Sequence, residues 1–257
     1  MTYTQLIIKN SSDNIFNISD NIEELTFMDC NDIKSIILTD NNRLQVLKIL
    51  NCYNINLPNN LYHLNRLYIK TNNDNTIIKL NKIPNNLINL TTLYLKNCNI
   101  KSIPDSLTNI LELYINGCTN ILKLPNTLIK ISSLSIINCI NIENIPKEYI
   151  NIKYLFLSNN NFKKIPKEFV NMYLMYILNC PNITSLPETF TNINELVIKN
   201  SNIKSLPNTY TNIIYLTLEN CVKLSTIPDN YNKMKQLHFL LNDEFDCIPK
   251  KYYQIII

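Results

Sequence analysis

Apolar residues recur along this chain at a fixed interval, and proline punctuates the pattern. Ten of the eleven prolines take part, and after a first gap of 26 residues every interval is 20 or 21. They are Pro58, Pro84, Pro104, Pro125, Pro146, Pro166, Pro187, Pro207, Pro228 and Pro249. Ile or Leu precedes each of them, and further apolar columns follow at constant offsets. A fixed period of this length predicts a solenoid whose repeats pack only against their neighbours.

Each repeat contains one short segment in which apolar and outward-facing positions alternate. Around Leu93 and Leu95 the alternation has the period of a β-strand, with both leucines pointing into the coil. The proline fixes φ and removes a hydrogen-bond donor, so we expect an extended return path with little helix. The strands of successive repeats should then lie about 4.8 Å apart in one parallel sheet of about twelve strands.

One segment carries a known repeat signature. Residues 90–100, LTTLYLKNCNI, fit the pattern L-x-x-L-x-L-x-x-N/C-x-L, and on this basis the chain resembles the leucine-rich repeat family. The short period and the Ile/Leu-Pro step are most similar to the compact repeats of bacterial effector proteins. The segment Ile103–Thr108 also resembles the FNIP-type repeats of amoebae and giant viruses.

The resemblance implies an α/β-type solenoid that is nearly all-β in content, a leucine-rich repeat horseshoe. One parallel sheet would line its concave side, and the convex side would be irregular or extended. The repeats cover nearly the whole chain, so we expect one domain over residues 1–257. Residues 1–43 would form degenerate repeats and residues 44–257 regular ones, of which the last is truncated.

The composition changes this picture in one respect. Asn, Ile, Lys and Tyr are abundant, whereas the chain has one Gly and no Trp. The abundant residues have AT-rich codons, which indicates an AT-rich genome, viral or parasitic. Asn-rich segments are often disordered. Here 46% of the residues are hydrophobic and lie in strict register, so we expect an ordered fold.

Seven of the eight cysteines occupy one column, three residues after the second inward residue of the strand. They are Cys30, Cys52, Cys98, Cys118, Cys139, Cys180 and Cys221. Asn72, Asn160, Asn242, Ser11 and Ser201 fill the same place in other repeats. All of these side chains can hydrogen-bond the backbone of a tight turn, so we interpret the column as structural. Metal or redox chemistry is the alternative, although parallel Cβ vectors suit disulfides poorly. Cys247 lies outside the column without an explanation.

The N-terminal residues and the lengths of the apolar runs indicate where in the cell the protein is found. Residues 1–9 lack a basic region followed by an apolar core, so we expect no signal peptide. No apolar run reaches the length of a membrane span, so we expect no membrane contact. Inward-facing thiols are typical of a reducing compartment. We therefore expect a cytoplasmic protein, in the host cytoplasm if its source is a virus.

Outward-facing strand positions are the candidates for partner binding. One row contains Tyr68, Tyr94 and Tyr114, and a second cluster contains Tyr154, Phe156, Leu174, Tyr176 and Tyr215. Tyrosine combines a large contact area with a polar tip, and exposed aromatic patches are typical of partner sites. The alternative is that aromatic residues are simply favoured in strands.

Charge and catalytic chemistry add little. Tyr beside Lys could stack on single-stranded nucleic acid. A net charge of +4 without a basic block, and only two arginines, argue against nucleic acid as a partner. The histidines, His63 and His238, lie in unrelated repeats, and one glycine cannot build a phosphate-cradling loop. We expect no enzyme, no catalytic residue, no cofactor and no metal.

Two functions of different classes remain. The first is a rigid module that binds a protein partner on the concave face, as a viral or pathogen adaptor that captures a host protein. The second is a structural protein that self-associates through its last coil, residues 247–257, which lacks an obvious polar cap. Residues 72–80 enlarge one repeat by five residues, which we interpret as a tolerated surface insertion; a functional protrusion is the alternative.

Overall fold

The computed structural model describes residues 4–240 and 248–256, and nearly all of its regular elements are β-strands. The five-residue strands are β1 (Gln5–Lys9), β3 (Glu24–Met28), β6 (Val46–Leu50), β8 (Arg66–Lys70), β10 (Thr92–Lys96), β11 (Glu112–Asn116), β12 (Ser133–Ile137), β13 (Tyr154–Ser158), β14 (Leu174–Leu178), β15 (Glu195–Lys199), β16 (Tyr215–Glu219) and β17 (Gln236–Leu240). The shorter strands are β2 (Ile15–Asn17), β4 (Asp32–Ile33), β5 (Ser35–Ile37), β7 (Asn54–Ile55) and β9 (Lys79–Leu80). One 3-10 helix spans Lys250–Ile255. Asn242, Cys247 and Ile257 lie outside the described residues.

The chain divides into two compact units, Met1–Ile131 and Ser132–Ile257. In the first unit β1, β3, β6, β8, β10 and β11 pair in parallel and in chain order. In the second unit β12 to β17 do the same. The predicted fold class, a parallel β-solenoid with very little helix, is confirmed. The expected single domain over residues 1–257 stays a prediction.

The strands pair in register, so equivalent residues of successive repeats stand side by side. Tyr94 of β10 lies opposite Tyr68 of β8 and Tyr114 of β11. Leu93 and Leu95 of the same strand point inward and are fully buried. Burying one such leucine contributes about 1.5–3 kcal/mol. Because the outward residues form straight rows, the sequence columns define the surface chemistry directly.

A residue with positive φ ends the five-residue strands. It occurs after ten of the eleven whose following residue is described, with φ between 49° and 64°. These residues are Asn10, Asp29, Asn51, Asn97, Gly117, Asn138, Asn159, Asn179, Asn200 and Asn220. The left-handed region is costly for most L-residues but is accessible to Asn, Asp and Gly. The abundance of Asn therefore has a structural cause, whereas an AT-rich genome stays a prediction.

A second set of asparagines satisfies the carbonyl groups of the return path. In the first unit Asn109 Nδ2 donates to the Ile88 carbonyl of the preceding repeat at 2.7 Å. In the second unit Asn212 Nδ2 donates to the Thr191 carbonyl at 2.8 Å. An extended return path outside the sheet leaves carbonyls that need a donor. Asn89, Asn171 and Asn192 make the equivalent bond in other repeats, which stabilises the stacking.

The cysteine column is structural, as its hydrogen bonds confirm. All seven of its cysteines are buried, and each thiol donates to the carbonyl two residues earlier. The shortest of these bonds joins Cys139 Sγ to the Ile137 carbonyl at 3.1 Å. Asn160 fills the same place with two stronger bonds, because its Nδ2 donates to the Ile136 carbonyl at 2.7 Å and its Oδ1 accepts from Cys139 N at 3.1 Å.

A ladder of buried tyrosines closes the return path of the second unit. Tyr210 Oη donates to the carbonyl of a proline in the preceding repeat at 2.9 Å, and Tyr231 Oη does the same at 2.7 Å. Tyr252, in the 3-10 helix, donates to the Pro228 carbonyl at 2.7 Å and accepts from Tyr231 N at 3.0 Å. The last described repeat is therefore tied to its neighbour by a core residue.

Residues 72–80 are integrated into the first unit. Strand β9 at their end pairs in parallel with β7, which pairs with β4. Ile78 is fully buried and forms a parallel bridge with Cys98. Asp74 lies on the exposed part and forms an ion pair with Lys96 at 2.8 Å, which lowers the pKa of the Asp74 carboxyl. Residues 72–80 thus combine an exposed loop with strand β9, which occupies the same repeat position as β4 and β7.

Candidate partner-binding surface

The three candidate tyrosines of the first unit form a continuous row, called here the tyrosine row: Tyr68, Tyr94 and Tyr114. The Tyr94 and Tyr114 rings stack with their centroids 4.0 Å apart and their planes 6° apart. The Tyr68 and Tyr94 centroids are 6.1 Å apart at 38°. All three side chains are half-buried. An aromatic pair of this kind contributes about 0.5–1.5 kcal/mol beyond its buried area, so the row is held in place before any partner arrives.

Neighbouring polar groups fix the tyrosine row electrostatically. Lys70 Nζ lies 6.0 Å from the centroid of the Tyr94 ring, within the range of a cation–π interaction. Asn116 Nδ2 donates to Tyr114 Oη at 3.3 Å. Burial, followed by the hydrogen bond to Tyr114, raises the pKa of the Tyr94 hydroxyl. Tyr94 therefore remains protonated at neutral pH and presents a neutral hydroxyl.

Four of the five candidates of the second unit lie on the adjacent strands β13 and β14, and the fifth lies on β16, two strands beyond β14. We call all five the aromatic cluster: Tyr154, Phe156, Leu174, Tyr176 and Tyr215. Tyr154 lies opposite Leu174, and Phe156 lies opposite Tyr176 with ring centroids 5.6 Å apart. Tyr154 is 45% exposed and Tyr215 is 42% exposed. Backbone pairing fixes the positions of all five residues, so the cluster is a preformed apolar surface with hydroxyl tips.

Tyr173 belongs to the same surface, although the sequence analysis did not single it out. It directly precedes β14, is 46% exposed, and packs edge-to-face on Tyr154 with centroids 6.3 Å apart. The predicted surface residues lie at alternating positions inside each strand, and Tyr173 lies one residue before them. The segment MYLMY places this tyrosine directly before the strand, and that position in the sequence could have identified it.

One carboxylate lies within the aromatic cluster. Glu195 of β15 follows Leu174 in its row and precedes Tyr215. Tyr176 Oη donates a hydrogen bond to Glu195 Oε1, and this bond, followed by burial, raises the pKa of Tyr176 to about 12. The neighbouring Lys199 is paired with Glu219 at 2.6 Å. The cluster thus combines aromatic area with one acidic acceptor.

This arrangement is suited to non-covalent contacts. Rings, hydroxyls and one carboxylate can pack against a partner and exchange hydrogen bonds with it. The prediction that the protein is not an enzyme stays a prediction. Within residues 4–240 and 248–256, no helix is long and apolar enough to cross a membrane.

Comparison with known proteins bears on the fold. A scan against models of protein families finds no match for the chain, and a search of curated proteins finds none either. Solved structures do match. One is YopM, a leucine-rich effector protein of Yersinia pestis, at 18% identity and a TM-score of 0.68 over 90% of this chain. Another is the functional domain of InlJ from Listeria monocytogenes, which includes a cysteine ladder, at 15% identity and 0.57 over 86%.

A plant peptide hormone receptor, RGFR1 in complex with RGF2, matches at 18% identity and a TM-score of 0.53 over 95% of this chain. The chain spans 64% of the YopM chain, 55% of the InlJ chain and 48% of the receptor chain, less than two thirds of each. These likenesses, together with the repeated strands and the cysteine column, show that the chain has the leucine-rich repeat fold.

Proposed function

We propose that the protein is a non-enzymatic interaction module that binds a protein partner on the outward face of its five-residue strands. The observation that carries the proposal is the aromatic cluster of the second unit, joined by Tyr173. Tyr154, Tyr173 and Tyr215 each leave more than two fifths of their surface in contact with solvent. A β-strand does not need several exposed tyrosines on its solvent-facing side to be stable, so these side chains are available for a partner.

Physical chemistry favours these residues for recognition. Tyrosine buries a large area for the loss of only two side-chain rotations, so ordering it costs little on binding. Aromatic residues are also enriched among the few positions that dominate interface energies. Because the backbone holds the cluster in register, the partner meets a preorganised surface, which reduces the cost of association.

The proposal extends to the biological setting. Among the similar structures, YopM is an effector and RGFR1 was solved with RGF2 bound, which supports a protein partner for this fold. We propose a viral or pathogen adaptor that captures a host protein, acting in the host cytoplasm. The buried thiols of the cysteine column, which donate hydrogen bonds as thiols, agree with a reducing compartment.

The test compares two pairs of substitutions matched for exposure. Tyr154→Ser with Tyr215→Ser changes the aromatic cluster; Tyr53→Ser with Tyr62→Ser changes residues that are 37% and 42% exposed but lie outside the five-residue strands. A partner captured by the native protein is purified and titrated calorimetrically against all three forms. We expect the first pair to weaken binding about tenfold or more, as loss of interface aromatics does. Equal affinity of the two double variants would refute the proposed surface.

A second candidate, self-association, has its own observation. Leu240, Tyr253 and Ile256, all near the last described repeat, are 55%, 57% and 39% exposed, and Ile256 bridges Leu237 of β17 in parallel. Sedimentation over a range of protein concentrations tests it. If this surface mediates assembly, Tyr253→Ser with Ile256→Ser abolishes a concentration-dependent increase in mass. Tyr252 must be left intact, because it is part of the core.

A further inference from the structure

A groove on the first unit lies away from the strand face and is separate from the proposed partner surface. It encloses about 590 Å³. Four lysines line it, Lys34, Lys79, Lys82 and Lys101, together with amide and hydroxyl side chains and a base of aliphatic residues. The lining contains no carboxylate and no arginine. We call this feature the lysine groove.

The integrated segment at residues 72–80 contributes Lys79 and Leu80 to this groove. Its strand β9 extends the parallel pair of β4 and β7, and Asp32, Asn54 and Lys79 stand side by side in register. The next row, Ile33, Ile55 and Leu80, is buried beneath the groove. Lys34 comes from the second repeat and Lys101 from the fifth, so they lie roughly 14 Å apart at the spacing of adjacent strands. The groove is therefore longer than a single phosphate group.

The charges in the groove are not neutralised by the protein. In the described part of the chain, none of the four ammonium groups has a carboxylate within 4.0 Å. Three lysines of the five-residue strands, Lys48, Lys96 and Lys199, instead pair with a carboxylate at 2.5, 2.8 and 2.6 Å. Asp32, on the same small sheet, accepts a hydrogen bond from Asn54 Nδ2. A cleft lined by one sign of charge focuses the field and concentrates ions of opposite sign.

We propose that the lysine groove binds a ligand that carries two or more phosphate groups. Lysine binds phosphate as a compact point charge, and lysine is the only cationic residue type in the lining. The volume is within the range of small-molecule sites, about 300–1,000 Å³. Four cations along one groove favour a clustered polyanion over a single phosphate. This gives residues 72–80 a function, because they supply Lys79 and the strand that positions it.

The shared chemistry, clustered phosphates, has two sources: a soluble polyphosphorylated molecule or a phosphorylated lipid headgroup. Calorimetric titration with inorganic tripolyphosphate, and with orthophosphate for comparison, tests the soluble form. The titrations are run at an ionic strength of about 0.1 M, where charges are screened over about 10 Å. Sedimentation with phosphatidylcholine vesicles, with and without phosphatidylinositol bisphosphate, tests the headgroup. We expect the native protein to bind tripolyphosphate more tightly than orthophosphate.

The decisive comparison uses two double variants that lose the same charge. Lys79→Gln with Lys82→Gln alters the groove, and Lys163→Gln with Lys164→Gln alters exposed lysines of the second unit. We expect the groove variant to lose at least about fivefold in affinity, the size of one exposed ion pair at the upper end of its range. The second variant should retain native affinity, and circular dichroism should show both folded.

The two probes distinguish a soluble ligand from a lipid headgroup. Selective loss of tripolyphosphate binding without vesicle binding supports a soluble ligand. Loss of phosphoinositide-dependent sedimentation in the groove variant supports a headgroup. Absence of binding to either probe by the native protein overturns the proposal, and so does equal weakening in the two variants, because that result reflects net charge alone.

Discussion

At the scale of single residues, the fold depends on a backbone conformation that few side chains accept. Ten of the five-residue strands end at a residue with positive φ, and Asn, Asp or Gly occupies that position. Gly117 is instructive, because a Cβ at that position would lie 2.1 Å from Asn97 Oδ1. The Asn97 side chain occupies that space, so a larger residue at position 117 would have to displace it. Codon usage alone would not place these residues so regularly.

Asn200 offers a test of this conformational requirement. Its φ is 49°, its Nδ2 donates to Asn179 Oδ1 at 2.6 Å, and its Oδ1 accepts from Asn220 Nδ2 at 2.8 Å. Asn200→Ala should lower the free energy of unfolding in urea by about 1–2 kcal/mol, because alanine is strained in the left-handed region. Asn200→Gly should lose less, since only the amide bonds disappear. If the two variants were equally stable, φ strain would not be the cause.

The pKa of Tyr176 provides a second test at this scale. It is raised to about 12, first by the hydrogen bond to Glu195 and then by burial. Because the folded value is above the unfolded one, its contribution to stability is complete below about pH 10 and is lost as the pH rises toward 12. In Glu195→Gln, the tyrosinate absorbance assigned by difference from Tyr176→Phe should appear at lower pH. An unchanged titration would exclude the carboxylate as the cause.

At the scale of elements, the sequence predicted the strands and their register but not all of the groups that join one repeat to the next. Alternating apolar columns fixed which side chains face inward, so the tyrosine row and the aromatic cluster were predictable. Tyr173 was not, because its contact with Tyr154 crosses between repeats outside the strand. Strand β9 was not predicted either, since its partner β7 lies about one repeat earlier in a segment with no strong alternation.

A substitution at Asn160 tests the role of the cysteine column, in which this residue replaces cysteine. Asn160→Ala removes the donor to the Ile136 carbonyl and the acceptor for Cys139 N in a buried turn. Two buried backbone groups without partners should cost about 2–5 kcal/mol of unfolding free energy. Asn160→Cys should be intermediate, because cysteine fills this place in other repeats with weaker bonds. Thermal and urea unfolding measure both, and a stability of Asn160→Cys at or below that of the alanine variant would contradict the interpretation.

At the scale of the whole molecule, the chain distributes different surface chemistries over its two units. The tyrosine row and the lysine groove belong to the first, and the aromatic cluster with its single carboxylate belongs to the second. Lys48, Lys96 and Lys199 of the five-residue strands are paired with carboxylates, while the described lysines of the groove are not. Two kinds of ligand, an apolar protein surface and a polyanion, can therefore be bound by separate residues. Variants of one surface should leave the other ligand's affinity unchanged.

The stacking of each repeat on its neighbours predicts how the molecule unfolds locally. Tyr252 is buried and bonded to both Tyr231 N and the Pro228 carbonyl. Tyr252→Ala should cost about 3–5 kcal/mol, as other large-to-small aromatic changes in cores do. Because each repeat of a solenoid contacts only its neighbours, the loss should be local. Hydrogen exchange should accelerate strongly in β17, less in β16, and not in β8 or β10.

The adjacent, 57% exposed Tyr253 serves as the control, and its change to alanine should leave exchange unaltered. Acceleration spread evenly over all strands would mean that the repeats unfold together, and the nearest-neighbour account of stability would be wrong.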